Sequence, residues 1–133
     1  MKKLFLSLLL LPVLAKAQDS SSEHGKTIKG IASFYASRFN GLRTATGEIF
    51  KHSNLTAASN NFKINSWVRV INLLNNKSVI VRINDRMHPR MAKMGRVVDL
   101  TAAAAKLLDV SMDGIYKVKV ELLGKNEIAG LVN

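Results

Sequence analysis

Cysteine is missing from this 133-residue chain. No disulfide can form, and no lipid can be attached through an N-terminal cysteine, so the core must rest on apolar burial alone. The three histidines and the scattered carboxylates show no spacing typical of a metal site. Gly-rich phosphate loops and nucleophile elbows are missing as well. We therefore expect no metal and no cofactor, and we expect carboxylates to carry any chemistry.

The longest apolar run, residues 4–14, is far shorter than the roughly 20 residues that a membrane-spanning helix needs. Lysines precede this run, and the small-x-small pattern of residues 15–17 (AKA) follows it. This order predicts a signal peptide over residues 1–17, cleaved before Gln18. A short membrane anchor and a buried helix are the alternatives. We expect a periplasmic or secreted protein without a stable membrane anchor.

Acidic residues are in short supply, with 9 Asp and Glu against 20 Lys and Arg and a net charge of +11. The predicted signal peptide carries three of the lysines, so its removal leaves +8. Such an excess favours an anionic partner. The chain has no aromatic-rich RNA-binding motif and no basic recognition helix, so we expect no nucleic acid. For an exported protein the anionic partners are wall polymers and membrane headgroups, and a monomer is the default.

The chain without its predicted signal peptide has the length of one domain. Residues 18–26 are polar and Ser-rich, which predicts a flexible leader. We predict the domain over residues 27–124 and a short C-terminal tail, with a little ordered structure, over residues 125–133. A chain of this size buries about two thirds of its surface, so it can form a substantial core.

Strand patterns dominate the predicted domain. Strands are predicted over residues 28–36, 67–73, 78–84, 96–99 and 115–123, with a polar loop over residues 37–47 and an Asn-based turn over residues 74–77. In the last strand Tyr116, Val118, Val120 and Leu122 share one face. Thr101 can cap a helix over residues 102–108. Several short strands and one helix predict a small closed β-barrel.

Asp85 is the carboxylate with the most informative position. The strand period places it on one face with Val79, Val81 and Ile83, so it continues an inward-facing line to the rim of the barrel. A half-buried carboxyl loses solvation, which favours the protonated form that a general acid for glycosidic cleavage needs. The alternative is that Asp85 begins a turn and pairs with Arg86.

Glu48 closes the polar, glycine-containing segment of residues 43–48 (RTATGE). Thr44 and Thr46 in this segment could hydrogen-bond sugar hydroxyls, and the alternative for Glu48 is a solvated loop charge. Aromatic side chains could stack on sugar rings or pack in the core. Stacking is the hypothesis for Tyr35, Phe39 and Trp67, and core packing is favoured for Phe34, Phe50 and Phe62.

Asp99 and the histidines are expected to be structural. Asp99 directly precedes the predicted helix, which favours a capping or structural role. His24 lies in the predicted leader, and His52 and His88 are far apart in sequence, so surface or structural roles are favoured over a shared site.

Several segments together resemble the rare lipoprotein A family, and the match is collinear over about 95 residues. The resemblance implies a mainly β fold, a small six-stranded double-psi β-barrel related to expansins and barwin, here with one short α-helix. The matching segments are residues 30–35 (GIASFY), 44–48 (TATGE), 55–58 (LTAA), 67–73 (WVRVINL), 79–86 (VIVRINDR) and 98–104 (VDLTAAA), followed by the last strand.

The resemblance implies a lytic transglycosylase acting on peptidoglycan glycan strands, with a preference for strands stripped of stem peptides. Such an enzyme cleaves the MurNAc–GlcNAc β-1,4 bond without water and leaves a 1,6-anhydro product. The family motif carries a catalytic aspartate onto Asp85 and an active-site glutamate onto Glu48. The residues expected to bind substrate are Tyr35, Thr44, Ser59, Asn84 and Arg86.

The chain departs from the family pattern in two places. Ser59 stands where the family often has His, and serine cannot supply the near-neutral titration of imidazole. Residues 87–89 (MHP) stand where the family commonly has Gly-Pro after the aspartate motif. A non-catalytic, expansin-like module that binds or loosens the wall therefore remains the main alternative, and a secreted effector or inhibitor is a third.

Overall fold

The computed structural model describes residues 25–132, without the side chain of Val132. The predicted signal peptide and residues 18–24 of the predicted leader lie outside the described residues. Within residues 25–132, no helix has both the length and the apolar character that crossing a membrane requires.

Six strands close into a barrel in the order β1-β5-β2-β4-β3-β6. The strands are β1 (Thr27–Phe34), β2 (Thr56–Ala58), β3 (Trp67–Asn72), β4 (Ser78–Asp85), β5 (Arg96–Leu100) and β6 (Tyr116–Leu122). Strands β1 and β5 pair in parallel, as do β2 and β4, and the other neighbours are antiparallel. The predicted closed barrel is confirmed. The very short β2 was not among the predicted strands.

The core consists of the inward-facing side chains of these strands. In β6, Val118 and Val120 are fully buried and Lys117 is exposed, which confirms the predicted alternation. Each buried valine contributes about 1.5–3 kcal/mol relative to an exposed one. The other fully buried strand residues include Val68, Val70, Val81, Ile83, Val98 and Leu100.

Helix α2 (Ala102–Leu108) is the one that the sequence predicts. The Oγ1 of Thr101 accepts a hydrogen bond from the amide of Ala104, which satisfies one of the free N–H groups of the first turn. Asp109 ends the helix in the left-handed conformation, with a φ of 55°. Leu108 is buried on the face that packs against the barrel.

The expectation of one short helix is wrong, because the described residues contain three α-helices and a short 3-10 helix (Ser37–Phe39). Helix α1 (Pro89–Lys93) begins with proline at its first position, and Nδ1 of His88 accepts from the amide of Arg90. Helix α3 (Lys125–Val132) occupies the segment predicted as a C-terminal tail. Helices α1 and α3 have only five and eight residues, which is too short for a hydrophobic period to indicate a helix clearly in the sequence.

Candidate active site

Asp85 is the last residue of β4, and the strand phase predicted from the sequence is confirmed. Val79, Val81 and Ile83 are buried, and Asp85 is half-buried where this inward-facing line reaches the end of the strand. Its backbone lies beside Ala58 of β2, because the two residues are partners in the parallel β2–β4 pairing.

Three donors hold the carboxyl of Asp85. The hydroxyl of Tyr35 donates to Oδ2 at 2.7 Å. The backbone amides of Ala45 and Arg86 both donate to Oδ1, each at 2.9 Å. Because the donors come from three separate segments, the carboxyl is fixed in one orientation. Oδ2 accepts one of these hydrogen bonds and Oδ1 accepts two, so Oδ2 keeps a lone pair available for a proton.

Tyr35 is buried in a small aromatic cluster. Its ring lies 4.2 Å from that of Phe50 in a tilted stack and 5.7 Å from that of Phe39 in an edge-to-face arrangement. Burial and the hydrogen bond to Asp85 raise the pKa of the Tyr35 hydroxyl above its ordinary range. The hydroxyl therefore stays protonated and acts as a donor to Asp85.

An open pocket adjoins this aromatic cluster and is lined by residues 40–41 and 49–53. Phe50 is shared between the pocket and the cluster, so the pocket lies one aromatic ring away from Tyr35. Phe39, one of the aromatics proposed to stack on sugars, is partly buried, and the guanidinium of Arg38 lies 5.2 Å from its ring centre.

The guanidinium of Arg86 turns away from Asp85. Its Nη1 donates to the carbonyls of Ser59 and Phe62, at 2.6 and 2.5 Å. The bond between Asp85 and Arg86 thus involves the backbone amide of Arg86, not its charged group. The alternative role for Asp85, a turn residue paired with the side chain of Arg86, does not describe this arrangement.

Glu48 forms a two-point ion pair with Arg82. Nη1 and Nη2 of Arg82 donate to Oε1 and Oε2 at 2.8 and 2.6 Å, and the hydroxyl of Thr46 donates to Oε1 at 2.7 Å. These hydrogen bonds, that from Arg82 first, lower the pKa of Glu48 to about 2. Glu48 is therefore ionised at neutral pH, although it is exposed. Trp67, which is half-buried, is the cross-strand partner of Arg82 and so shares a face with it.

The loop of residues 44–48 joins Glu48 to Asp85. The amide of Thr44 donates to the carbonyl of Glu48 at 2.8 Å, and that of Gly47 donates back to the carbonyl of Thr44 at 2.9 Å. Gly47 has a φ of +86°, a conformation that glycine adopts without strain. The backbone amide of Ala45, the residue after the buried Thr44, donates to the carboxyl of Asp85. The structure thus brings the predicted residues Tyr35, Thr44, Glu48 and Asp85 together. We call Asp85, Tyr35 and residues 44–48 the Asp85 site.

Ser59 and Asn84 lie inside the protein. The Ser59 side chain is 0 % exposed, and its hydroxyl donates to the carbonyl of Val97 at 2.7 Å and accepts from the amide of Asn61 at 3.1 Å. Asn84 is 3 % exposed, and its Oδ1 is buried without a hydrogen-bond partner. The structure does not bring these two side chains to the surface of the Asp85 site, because both are buried.

Asp99 is the residue of this region that the sequence reasoning set aside. It is 8 % exposed, and the hydroxyl of Ser33 donates to its Oδ1 at 3.1 Å. Of the capping or structural role expected for Asp99, the capping role is wrong, since the N-cap of α2 is Thr101. An acidic residue among the apolar residues of β5 (RVVDL) is the sequence signal that could have indicated a special position.

The pKa of Asp99 is raised to about 6. Burial is the main cause, and the negative charge of Asp85 adds to it. The hydrogen bond from Ser33 and the charges of Arg96 and His52 act in the opposite direction. Asp99 is therefore a carboxyl close to Asp85 that titrates near neutral pH.

Histidines 52 and 88 have local structural roles, as expected from their separation in the sequence. Nδ1 of His52 accepts from the amide of Ala102 at 3.1 Å, at the start of α2, and its ring packs edge-to-face on Phe50. His88 caps α1. Within residues 25–132, His, Asp and Glu form no group of three or more that could hold a metal ion.

The predicted core aromatics Phe50 and Phe62 are buried, and Phe34 packs against the core.

The family model for lytic transglycolases matches residues 27–120. The chain belongs to this family. The matched region runs from β1 into β6 and includes Asp85, Asp99 and the loop of residues 44–48.

The chain is also similar in sequence to curated proteins from several bacteria. The chain is 44% identical over 108 residues to "Endolytic peptidoglycan transglycosylase RlpA" of Pasteurella multocida, covering 81% of this chain and 36% of that protein. It is 48% identical over 92 residues to the protein of the same name from Pseudomonas aeruginosa, covering 69% and 26%. The chain thus spans about a third of the length of such relatives.

Solved structures with the same fold are distant in sequence. The Streptomyces papain inhibitor superposes with a TM-score of 0.57 at 17% identity, over 76% of this chain and 97% of that one. An expansin of Clavibacter michiganensis gives 0.58 at 16% identity, over 75% and 52%. These similarities concern the fold alone, and the expected double-psi β-barrel is confirmed.

Proposed function

We propose that this chain is a peptidoglycan lytic transglycosylase that cleaves the MurNAc–GlcNAc β-1,4 bond of glycan strands and leaves a 1,6-anhydro end. The observation that carries the proposal is the carboxyl of Asp85, half-buried at the end of β4 and oriented by three donors. The relatives named as endolytic peptidoglycan transglycosylases support the same reaction class.

Asp85 acts as general acid and then as general base in this proposal. Its proton passes from Oδ2 to the glycosidic oxygen as the bond from that oxygen to the anomeric carbon breaks. The hydroxyl on C6 of the same sugar then attacks the anomeric carbon, and its proton returns to Asp85. The proton that Asp85 gives up is thus recovered, and no water is consumed. Hydrolysis would instead require a second group that activates water.

Tyr35 and the loop of residues 44–48 position this carboxyl. The Tyr35 hydroxyl keeps one side of Oδ2 occupied and leaves the other for the proton, and the amide of Ala45 fixes Oδ1. Glu48 is ionised, so it is not the proton donor. Its ion pair with Arg82 ties the loop to β4, and its negative charge favours the positive charge that develops at the anomeric carbon.

The proposed substrate is supported by the apolar and aromatic surface near the Asp85 site and by the positive charge of the chain. The pocket next to Phe50 gives an apolar surface for a sugar ring, and Trp67 lies beside Arg82 on one face of the β3–β4 pair. Of the residues expected to bind substrate, Tyr35, Thr44 and Arg86 remain proposals in this role. The excess of positive charge suits the anionic wall polymer that surrounds a periplasmic or secreted protein.

A non-catalytic wall-binding module is the second candidate, and Ser59 is the observation that favours it. Where the family often has an imidazole, this chain has a serine whose hydroxyl is buried and bonded to the backbone. The basic surface and the aromatics would suffice for binding alone.

The deciding experiment is mass spectrometry of purified glycan strands incubated with the protein. The enzyme releases fragments that end in 1,6-anhydro-MurNAc. A binding module sediments with sacculi and releases no fragments. Reducing-end MurNAc without the anhydro ring would indicate hydrolysis and would contradict the proposed reaction.

A further inference from the structure

Asn60, two residues after β2, holds the segment that follows Asp85. Its Nδ2 donates to the carbonyl of Met87 at 3.0 Å, and its Oδ1 accepts from the amide of Met87 at 2.9 Å. A side-chain amide carries the same kinds of donor and acceptor as a peptide unit. Asn60 therefore pairs with Met87 as a neighbouring strand would, beyond the point where the β2–β4 pairing ends at Ala58 and Asp85.

Three further hydrogen bonds join the same two segments. The amide of Ser59 donates to the carbonyl of Asp85 at 3.1 Å. Nη1 of Arg86 donates to the carbonyls of Ser59 and Phe62. Each of residues 85–87 is thus bonded to the segment of residues 59–62, and we call this set of hydrogen bonds the 59–62 clamp.

The 59–62 clamp encloses one of the donors of the Asp85 carboxyl. The amide of Arg86, which donates to Oδ1 of Asp85 at 2.9 Å, lies between two residues that the clamp holds. Because the peptide unit before Arg86 is planar and the chain continues directly into Met87, anchoring Met87 limits the movement of that amide. Met87 is also buried in the cluster that contains Tyr35 and Phe50. Anchoring Met87 therefore supports two of the three donors of Asp85.

The side chain of Asn60 is not part of the core. Asn60 is exposed, so its truncation leaves no cavity in the barrel. Substitutions at exposed positions usually change stability little. A change at Asn60 can therefore separate the placement of the Asp85 carboxyl from the stability of the fold.

We propose that Asn60 is a positioning residue for the general acid: by pairing with Met87 it fixes the amide of Arg86, and through that amide the carboxyl of Asp85. This inference rests on the proposed transglycosylase function. A misplacement of about 1 Å at a reacting group can cost about 100-fold in rate. Asn60 acts through the protein and not on the sugar, so it affects the chemical step and leaves substrate binding unchanged.

The first test is the kinetics of Asn60→Ala on purified glycan strands. The variant loses both hydrogen bonds to Met87, so kcat should fall by about tenfold, while KM should stay close to the wild-type value. Melting temperatures of both proteins confirm that the comparison is made on folded protein.

Asn75→Ala is the matched control. The side chain of Asn75 makes the same two kinds of hydrogen bond, since its Nδ2 donates to the carbonyl of Leu108 and its Oδ1 accepts from the amide of Lys77, both at 2.9 Å. Asn75 is exposed like Asn60, but it lies before the start of β4, whereas Asp85 is the last residue of that strand. In this variant kcat and KM should both match the wild type.

Hydrogen exchange, measured by NMR, tests the same inference without reference to activity. The amide of Arg86 keeps its own acceptor in Asn60→Ala, so faster exchange there reports a loosened bond to Asp85. Its exchange rate should rise by about tenfold, whereas amides in the middle of β4, such as that of Val81, should stay protected. Asn75→Ala should speed exchange at Lys77 and not at Arg86.

Asn60→Gln is the conservative variant, and it keeps the inference testable if Asn60→Ala does not fold. Glutamine carries the same amide on a longer side chain, and the exposed position has room for the extra methylene. The variant should retain most of the wild-type kcat and the slow exchange of the Arg86 amide. A tenfold fall in kcat in folded Asn60→Gln would contradict a role for the amide group.

Three results with Asn60→Ala would overturn the inference. Unchanged exchange at Arg86 would show that Asn60 does not hold that amide, and unchanged kcat despite faster exchange would show that the amide does not position the general acid. A loss confined to KM would indicate a substrate-binding residue instead. If the wild type itself releases no anhydro fragments, the proposed function fails, and hydrogen exchange still decides whether Asn60 holds the Arg86 amide.

Discussion

The hydroxyl of Tyr35 lies 2.7 Å from Oδ2 of Asp85 and donates a hydrogen bond to it. This bond joins the residue that follows β1 to the last residue of β4, although 50 positions separate them in the chain. It fixes the carboxyl oxygen that we propose to carry the catalytic proton, so the tyrosine and the aspartate form one unit.

Tyr35→Phe should lower turnover by about tenfold, because a hydrogen bond contributes about 0.5–1.5 kcal/mol and about 1.4 kcal/mol corresponds to a tenfold change in rate. The ring stack with Phe50 stays in place, so the melting temperature should change little. The rate on glycan strands and the melting temperature check this prediction. Tyr116→Phe is the matched control, since its hydroxyl donates to the carbonyl of Ser111, away from the Asp85 site. Equal losses in both variants would contradict a specific role for Tyr35.

Asp85→Asn should lower turnover at least about 100-fold, the usual scale for loss of an acid–base group. The amide oxygen can accept from the amides of Ala45 and Arg86, and its NH₂ can donate to the hydroxyl of Tyr35, so the fold should tolerate the change. Sedimentation with sacculi should persist. Activity, binding and melting temperature are measured on one preparation. A well-folded variant that releases anhydro fragments at the wild-type rate would contradict the assignment of Asp85 as the general acid.

Glu48→Gln should have a pH-dependent effect on stability. The pKa of Glu48 is about 2 in the folded protein and about 4.3 in an unfolded chain. The ionised side chain therefore stabilises the fold above about pH 4, and this contribution is lost as the pH falls through about 2. Because the side chain is 42% exposed, solvent screening keeps the effect below about 1 kcal/mol.

Urea unfolding of wild type and Glu48→Gln at pH 7 and pH 2 measures this effect. The difference in unfolding free energy should shrink between the two pH values. Glu121→Gln is the matched control, because Glu121 pairs with Arg69 of β3 and Lys119 of β6 and not with Arg82. A difference that grows on acidification would contradict the role of the Arg82 ion pair.

Binding to sacculi should weaken as salt rises from low to several hundred millimolar, because the chain has a net charge of +11, or +8 without residues 1–17. Exposed charges are screened beyond about 10 Å at 0.1 M salt. Sedimentation across a salt series measures the effect. Binding that does not respond to salt would point to stacking and hydrogen bonding as the main attraction.

Protein recovered from cells should begin at or near Gln18 and carry no lipid, as residues 1–17 predict. Intact mass measurement detects both features. Met1 retained on protein from the periplasm, or an attached acyl chain, would contradict export through a cleaved signal peptide.

Period-2 patterns explain why much of the barrel was predictable. In β6 the alternation of Val118 and Val120 with lysines defines a buried face without knowledge of any partner strand. The same period in β4 placed Asp85 in line with buried residues. Helix α2 was predictable because Thr101 and a run of alanines provide a cap and high helix propensity.

Tertiary structure alone decided the neighbourhood of Asp99. The three-residue β2 has too little pattern to be identified from its own residues, yet it pairs with both β4 and β5. Ser33 and Asp99 are 66 positions apart, so their hydrogen bond depends on the parallel pairing of β1 and β5. The burial of Asp99 and its proximity to Asp85 follow from these pairings together, which is why its raised pKa of about 6 was not predicted from the sequence.

The sequence by itself determined the strand faces, the cap of α2 and the position of Asp85 along β4, because each depends on residues within one or two turns or strand repeats. Barrel closure decided which strands became neighbours, and with them the partners of Asp85 and the surroundings of Asp99. These partners and surroundings depend on interactions between segments far apart in the chain. Burial and charge act there through space, so no local periodicity in the sequence indicates them.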